Sequence, residues 1–471
     1  MKWIIYICFC SFLISQDIYT QYLIEDYDTL DVFSYQIPDI YDESIPVPLL
    51  VAFHQWGGNE DSPYYTQFDE EANERGWLFM SPYGGAANNY NNQGAQSFVE
   101  NELIWMIENY AIDPNRIYMV GGSMGGASGA IYSNNHLNPD KPMVAATASG
   151  SGILDCERRA IEMDGNNSMI EWFGGNWDEV PFEYHRNSAI YFQDYSQSMH
   201  YNLQHLPIYL DFGVSEPHRT HAEEMYEILL EYNQNMWIDT EPTGSHGFSV
   251  MDEEHVCDWL SQFTLETNPE NIHVNLDEPS RAYYIEALNQ INNSEFINVN
   301  INEISDGWDI YNFSNSDSLV LHILDNNFEN FILNLNVEIN RLGITGPSIY
   351  NSNGEIYNFE ALQIGSLLPL YYHITDNIIW LEFYGNGSSY EPDELPLIPA
   401  SYIFEIQIEP FLNGDVNQDG EQNVQDIILI INHIIDSEEL NSDQIEIADM
   451  NNDNNLDVLD IIILINIIIN P

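Results

Sequence analysis

The sequence predicts an α/β domain with a mostly parallel sheet, then a β-rich domain, then a small helical module. Three observations carry that division. Apolar strand-like runs alternate with helical patterns from Asp17 to about Glu266, and the pattern turns β-rich after "TLETNPENIHVNLDEPSR". The chain then closes on two copies of an acidic loop followed by an apolar helix, with Asp449 repeating Asp415 at an offset of 34 residues.

Length agrees, because 471 residues exceed what one ordinary core organises. Within the first domain "PLLVAF" (48–53), "WLFMSPY" (77–83), "RIYMVGG" (116–122), "MVAATASG" (143–150) and "PIYLDFG" (207–213) read as buried parallel strands. Between them, "SFVENELIWMIENY" puts Val99, Leu103, Met106, Ile107 and Tyr110 on one helical face. "HAEEMYEILLEY" (221–232) and "DEEHVCDWLSQF" (252–263) are further helices. The second domain reads as sandwich-like from "SLVLHIL", "NFILNLNVEI", "LPLYYHI", "IIWLEFY" and "YIFEIQI", with turn signals at Asn353-Gly354 and Asn386-Gly387.

Ahead of all this, "MKWIIYICFCSFLISQD" has one early positive charge and an apolar run from Trp3 to Ile14. That is signal-peptide length and too short to span a bilayer. The expected organisation is a signal peptide at 1–16, a catalytic domain at 17–266, a β-rich domain at 267–411 and a helical module at 412–471. Export leaves Cys156 and Cys257, for which a disulfide and two free thiols are both open.

The charge is unusual: 10 basic against 75 acidic residues, a formal −65. Such a surface repels nucleic acid and anionic membranes and favours cations.

"RIYMVGGSMGGASGA" sets Gly121-Gly122-Ser123-Met124-Gly125 between a strand and a helix. This is the G-x-S-x-G elbow, whose serine sits on a tight turn that flanking glycines make possible. A serine hydroxyl is a weak nucleophile and needs a base. Among 13 histidines, His246 lies in the glycine-flanked loop "TGSHGF" before the last helix of the domain, whereas His255 lies inside that helix and reads as packing or surface. The acid is expected past a strand end between the two. Glu216, in the loop beyond "PIYLDFG", is the first choice and Asp211, inside the strand, the second. The oxyanion donors are expected at the backbone N–H of Met124 and of Gln55 or Trp56, in "HQWGG". His218 and His221 have helical spacing that suits capping or surface roles better than a metal. Trp172, Phe173, Trp177 and Tyr184 read as packing or as an aromatic wall beside the cleft.

With "PLLVAFHQWGG", "IDPNRIYMVGGSMGGASG", "FGGNWDEVPFEYHRNSA" and "GSHGFSVMDEEHVCDWL", residues 46–265 resemble α/β-hydrolases of the secreted esterase and prolyl-oligopeptidase-like group. The resemblance implies a Ser, acid, His triad in that chain order and no cofactor for catalysis. Gln55 stands where the family usually has glycine.

In the terminal repeat, Asp415, Asn417, Asp419, Glu421, Asn423 and Asp426 take the ligand positions of a calcium-type loop, Glu421 through its backbone. Asp449, Asn451, Asp453, Asn455, Asp457 and Asp460 repeat the set, with Asn454 in place of Gly420. The pair resembles a type I dockerin, which implies two calcium ions and a cohesin-like partner. Val424-Gln425 and Val458-Leu459 stand where dockerins often carry hydroxyl-bearing contact residues.

The leading functional expectation is a secreted or cell-surface serine esterase acting on acetyl or feruloyl esters of an extracellular polysaccharide. The alternatives are a serine peptidase of the prolyl-oligopeptidase type and a non-catalytic, calcium-dependent attachment protein. Membrane insertion after signal cleavage is not expected.

Overall fold

The computed structural model describes residues 17–25, 28–164, 168–216, 218–304, 307–323, 330–335, 339–346, 358–365, 371–375, 378–382, 400–407, 414–417, 422–435, 440, 442–451 and 455–469. The proposed signal peptide, Asn353-Gly354 and Asn386-Gly387 lie outside them, as do Asp419, Glu421, Asp453 and Asn454.

The first domain is built on eight strands: β1 (Tyr19–Glu25), β2 (Asp28–Gln36), β3 (Val47–Phe53), β4 (Leu78–Pro82), β5 (Ile112–Gly122), β6 (Ala146–Gly150), β7 (Ile208–Asp211) and β8 (Met236–Ile238). Their order is β1-β2-β4-β3-β5-β6-β7-β8. Pairings from β4 to β8 are parallel, and β2 runs antiparallel to both β1 and β4. This is an α/β-hydrolase sheet, and all five expected strands lie in it.

Among the described residues eight α-helices accompany it: α1 (Phe68–Glu74), α2 (Gln93–Asn109), α3 (Ser128–Asn135), α4 (Cys156–Glu162), α5 (Met169–Phe173), α6 (Pro181–Arg186), α7 (Arg219–Leu229) and α8 (Glu253–Leu260). Strand side chains alternate between faces, so β3 separates two cores. Leu49 and Val51 pack with Leu103 of α2, Ile131 of α3 and Met225 of α7. Leu50 and Ala52 pack with Phe68 of α1 and with Val256 and Leu260 of α8. Both faces are covered, which is why these strands read as continuous apolar runs. The expected face of α2 is buried or half-buried in the first of these cores.

The second domain is a two-sheet sandwich. One sheet is ordered β10-β11-β14-β16-β19-β18 and the other β17-β20-β15-β13-β12-β9. The strands are β9 (Asn271–Leu276), β10 (Arg281–Ala282), β11 (Ile285–Ala287), β12 (Ile297–Ile304), β13 (Gly307–Ser314), β14 (Ser318–His322), β15 (Asn330–Leu335), β16 (Arg341–Thr345), β17 (Asn358–Gly365), β18 (Tyr371–Thr375), β19 (Ile378–Glu382) and β20 (Ala400–Gln407). Val299 and Ile310 from one sheet meet Leu319 and Leu342 from the other. Leu137 and Met143 of the first domain are buried in this same core.

The seam between the domains is hydrogen-bonded along the edge of β9. Asn202 Nδ2, Gln204 Nε2 and His205 Nε2 pair with the carbonyl oxygens of Asn275, His273 and Asn271 at 2.9, 3.3 and 2.7 Å. They substitute for a neighbouring strand, so that edge does not present an open ladder.

The last module packs α9 (Val424–Ile434), α10 (Ser442–Ala448) and α11 (Val458–Ile469) around Val416, Ile430, Leu440, Ala448 and Leu464. Among the described residues no helix is long and apolar enough to cross a membrane.

A Cys156–Cys257 disulfide is not formed; both cysteines are free and buried. Cys156 starts α4 among Tyr90, Met124 and Tyr184, whereas Cys257 sits under α8 on the other core.

Candidate active site

Ser123 follows β5 with φ = 58°, in the left-handed region that a side chain rarely adopts. Crowding imposes the turn. A Cβ on Gly121 would lie 2.2 Å from the carbonyl oxygen of Gly125, and one on Gly125 would lie 2.5 Å from those of Phe53 and His54. Ser123 N–H donates to the Gly150 carbonyl at 2.8 Å, which ties the turn to the end of β6.

From Ser123 a hydrogen-bonded line runs outward. Ser123 Oγ donates to His246 Nε2 at 2.7 Å, and His246 Nδ1 donates to Glu216 Oε2 at 2.5 Å. The partners assign the tautomer, since a carboxylate only accepts. Glu216 also receives Ser151 Oγ at 2.5 Å and Gly213 N–H at 2.6 Å on its other oxygen. Burial opposes its ionisation, but the bonds from His246, Ser151 and Gly213 prevail and hold its pKa below the ordinary value. Ser151, with φ = 56°, is a contributor that sequence reading missed. Its signal was the Gly150-Ser151-Gly152 stretch at the end of a strand.

Asp211 is not joined to His246. Its carboxylate accepts the Phe212 N–H at 2.7 Å, and burial pushes its pKa up to about 7. His255 is exposed on α8, 3.4 Å from the Tyr209 hydroxyl.

The expected oxyanion donors flank the serine. Met124 follows it and leads into a 3-10 turn at Gly125–Ala127, while Gln55 and Trp56 follow β3. Their backbone N–H groups meet no acceptor among the described residues. Gln55 Oε1 fills the space beside Gly247, where a Cβ would come within 1.6 Å of it. His54, also missed, braces the loop from below: its ring nitrogens lie 2.8 and 2.9 Å from the carbonyl oxygens of Gln55 and Tyr83.

His218 and His221 are buried rather than at the surface, and His218 makes no side-chain cap to α7. With Glu162 they bring three ligand-type atoms within 4.8 Å of one another. Metal chemistry does not fit this group. His221 Nδ1 accepts the N–H groups of Leu154 and Asp155 at 3.2 and 3.3 Å, so its proton resides on Nε2, the atom a metal would need bare. That N–H faces Glu162 at 3.7 Å and helps to hold the Glu162 carboxyl down at about 2. Burial lowers His218 to about 4, and its ring lies 5.5 Å from that of His246.

The aromatic segment divides. Phe173 and Tyr184 are buried edge to face at 4.8 Å and Trp177 packs beside them, whereas Trp172 is 40% exposed. Trp56, at 59%, is exposed beside the expected oxyanion loop.

In the helical module, Asp426 is buried and accepts the N–H groups of Asn417 and Asn423 at 3.0 and 2.8 Å. Asp460 repeats this with Asn451 and Asp457 at 3.3 and 2.8 Å. Asp415 and Asp449 are buried in the same two loops, and Asn455 lies in the second.

The sequence model of the dockerin type I domain matches residues 413–469. No curated protein sequence matches the chain. Solved structures that resemble it include an S-formylglutathione hydrolase from Agrobacterium tumefaciens, 12% identical over 53% of this chain and 98% of that one, with a TM-score of 0.40. A ferulic acid esterase is 14% identical over 52% of this chain and 96% of its own, with a TM-score of 0.38. An acylaminoacyl peptidase from Pyrococcus horikoshii is 14% identical over 53% of this chain and 41% of its own, with a TM-score of 0.42.

Proposed function

We propose that this chain is a secreted serine esterase that cleaves acetyl or feruloyl esters on an extracellular polysaccharide. The observation that carries the proposal is the unbroken line from Ser123 through His246 to Glu216. His246 Nε2 takes the Ser123 proton as Oγ bonds to the ester carbonyl carbon. The oxygen that becomes negative is received by the N–H groups of Met124 and of Gln55 or Trp56. His246 then protonates the departing alcohol, leaving an acyl group on Ser123. Water, deprotonated by His246, releases the acid and restores the serine. Glu216 keeps the imidazole in the required tautomer and stabilises its cation, and Ser151 and Gly213 keep Glu216 ionised. The exposed rings of Trp56 and Trp172 support a sugar or phenolic substrate in an open cleft.

In this reading the C-terminal module holds two calcium ions. The donor set suits a hard cation, because buried Asp415, Asp426, Asp449 and Asp460 supply oxygen in an acidic, lysine-free stretch. A cohesin-like partner seats on the exposed apolar stripes Val424, Ile428 and Ile431 of α9 with Ile435 just beyond it, or Val458, Leu459 and Ile462 of α11.

The test is hydrolysis of acetylated and feruloylated oligosaccharides by the full chain, compared with proline-containing peptide amides. Release of acid from the esters, lost in Ser123→Ala, supports the proposal. Peptide cleavage without ester cleavage makes the chain a peptidase, and failure of both makes the fold an inactive attachment domain.

A further inference from the structure

A groove of about 550 Å³ opens where the first domain meets the sandwich. Ser196 and Gln197 form one wall, and Asn298, Asn312 and Ser314 on the outer face of β12 and β13 form the other. We propose that this groove binds a neutral oligosaccharide, at a site separate from the triad and independent of the reaction assigned to it.

Charge is the first argument. In a chain with a formal −65, the lining holds one ionisable side chain, Glu295, whose Oε1 is taken by the Asn292 amide at 2.8 Å. With no lysine or arginine in the lining, an anion finds no counter-charge, and one engaged carboxylate makes a poor cation site. Uncharged amides and hydroxyls suit a ligand that both donates and accepts without charge, which is the surface of a sugar.

Preorganisation is the second. Asn312 donates to the side-chain oxygens of Asn298 and Asn300, its own Oδ1 meeting no donor among the described residues, and Asn298 in turn donates to Asn275. Asn275 Nδ2 donates to the Ser198 carbonyl at 2.6 Å, next to the opposite wall. One hydrogen-bonded chain thus crosses beneath the groove and fixes its width, so the polar groups are aligned before anything binds.

Apolar contact is the third. Ile291 in the lining is 67% exposed, and the Phe296 ring is buried against Phe182 at a centroid separation of 4.9 Å. The exposed Ile291 side chain offers an apolar contact to the C–H groups of a pyranose while the amides take its hydroxyls, and buried Phe296 supports the floor. A peptide is a poorer fit, because the nearby strand edge of β9 is already paired to residues 202–205.

The experiment is calorimetric titration of the full chain with neutral hexaoses of glucose, xylose, mannose and N-acetylglucosamine, and with hexagalacturonate as the acidic control. At least one neutral hexaose should bind, at least tenfold more tightly than the acid. Gln197→Ala, at the half-buried end of the short turn Tyr195–Gln197, should weaken that binding at least tenfold, and Ser314→Trp, which fills the groove, should abolish it. Both variants should keep the wild-type Tm and circular dichroism spectrum, which report an intact fold whether or not the triad is active. No binding of any neutral hexaose, preference for the acid, or binding that survives both substitutions would overturn the proposal.

Discussion

Asn202 and Asn275 grip each other through two hydrogen bonds, one from each side of the domain seam. Asn202 Nδ2 donates to the Asn275 carbonyl at 2.9 Å, and the Asn275 N–H donates to Asn202 Oδ1 at 2.8 Å. One amide side chain thereby satisfies both backbone groups of an edge residue, as a neighbouring strand would. The two domains are therefore not beads on a string. A fragment ending at residue 266 leaves buried Leu137 and Met143 without the core they share. Its yield of soluble protein and its Tm should fall well below those of a fragment ending at 411, and equal behaviour of the two would disprove the coupling.

Ser123→Ala should keep the wild-type Tm within a few degrees and lose both ester hydrolysis and labelling by a serine-directed phosphonate. His246→Ala should lower turnover about 10³-fold or more. Glu216→Gln should cost more activity than Asp211→Asn, because only Glu216 reaches His246. The opposite order in kcat would move the acid to Asp211.

Gly125→Ala should be damaging out of proportion to one methyl group. The new carbon would sit 2.5 Å from two carbonyl oxygens of the backbone, which cannot rotate aside. A drop in Tm together with lost phosphonate labelling is expected; retention of both would show that the elbow has slack.

Acid should loosen the seam before it protonates most carboxylates. Burial lowers His200 to about 3 and His273 to about 4, and His273 stacks on Tyr201 at 3.7 Å. Both are neutral when folded and take up protons near pH 6.5 when unfolded. Their stabilising effect is complete above about pH 6.5 and fades as pH falls towards 4 and then 3. Other titratable groups add their own slope, so the comparison is with His273→Phe, which keeps a ring on Tyr201 and removes the proton site. The variant should lose less Tm than wild type between pH 6.5 and 4, and parallel curves would refute the assignment.

Chelation should unfold the C-terminal module and leave hydrolysis of a small ester intact. Empty loops of this charge repel themselves, and Asp426 organises its loop through two N–H groups. Asp426→Ala should lower bound calcium from two ions to one by elemental analysis. Two ions in the variant would contradict the ligand set.

What could be read from the sequence was what solvent-free packing forces on composition. β3 to β7 are buried on both faces, so their apolar runs are unbroken and their class is plain. The β1–β2 hairpin escaped because Asp28, Thr29 and Leu30 are exposed and the buried stretch of β2 includes the polar residues Asp31, Ser34 and Gln36. β8 has three half-buried residues, too few for a pattern. At the site, Ser123, His246 and Glu216 are marked by their loops, but Ser151 acts through a distance of 65 residues and His54 through contacts with carbonyl oxygens. Neither kind of contact leaves a periodic trace. The seam was hidden for the same reason: asparagine side chains that pair with backbone resemble ordinary polar surface.

The two cysteines carry a practical consequence. Burial pushes both thiols up to about 12, far from the range in which a thiolate forms, and neither is linked. Assembly of the α/β domain therefore needs no oxidant and tolerates strong reductant, so a cytoplasmic expression host can make it as well as an oxidising one. Iodoacetamide and similar alkylators should pass Cys156 and Cys257 by in the native protein. A covalent warhead that inactivates residues 17–471 in a mixture is thus reporting on the serine, with neither Cys156 nor Cys257 adding a thiol background.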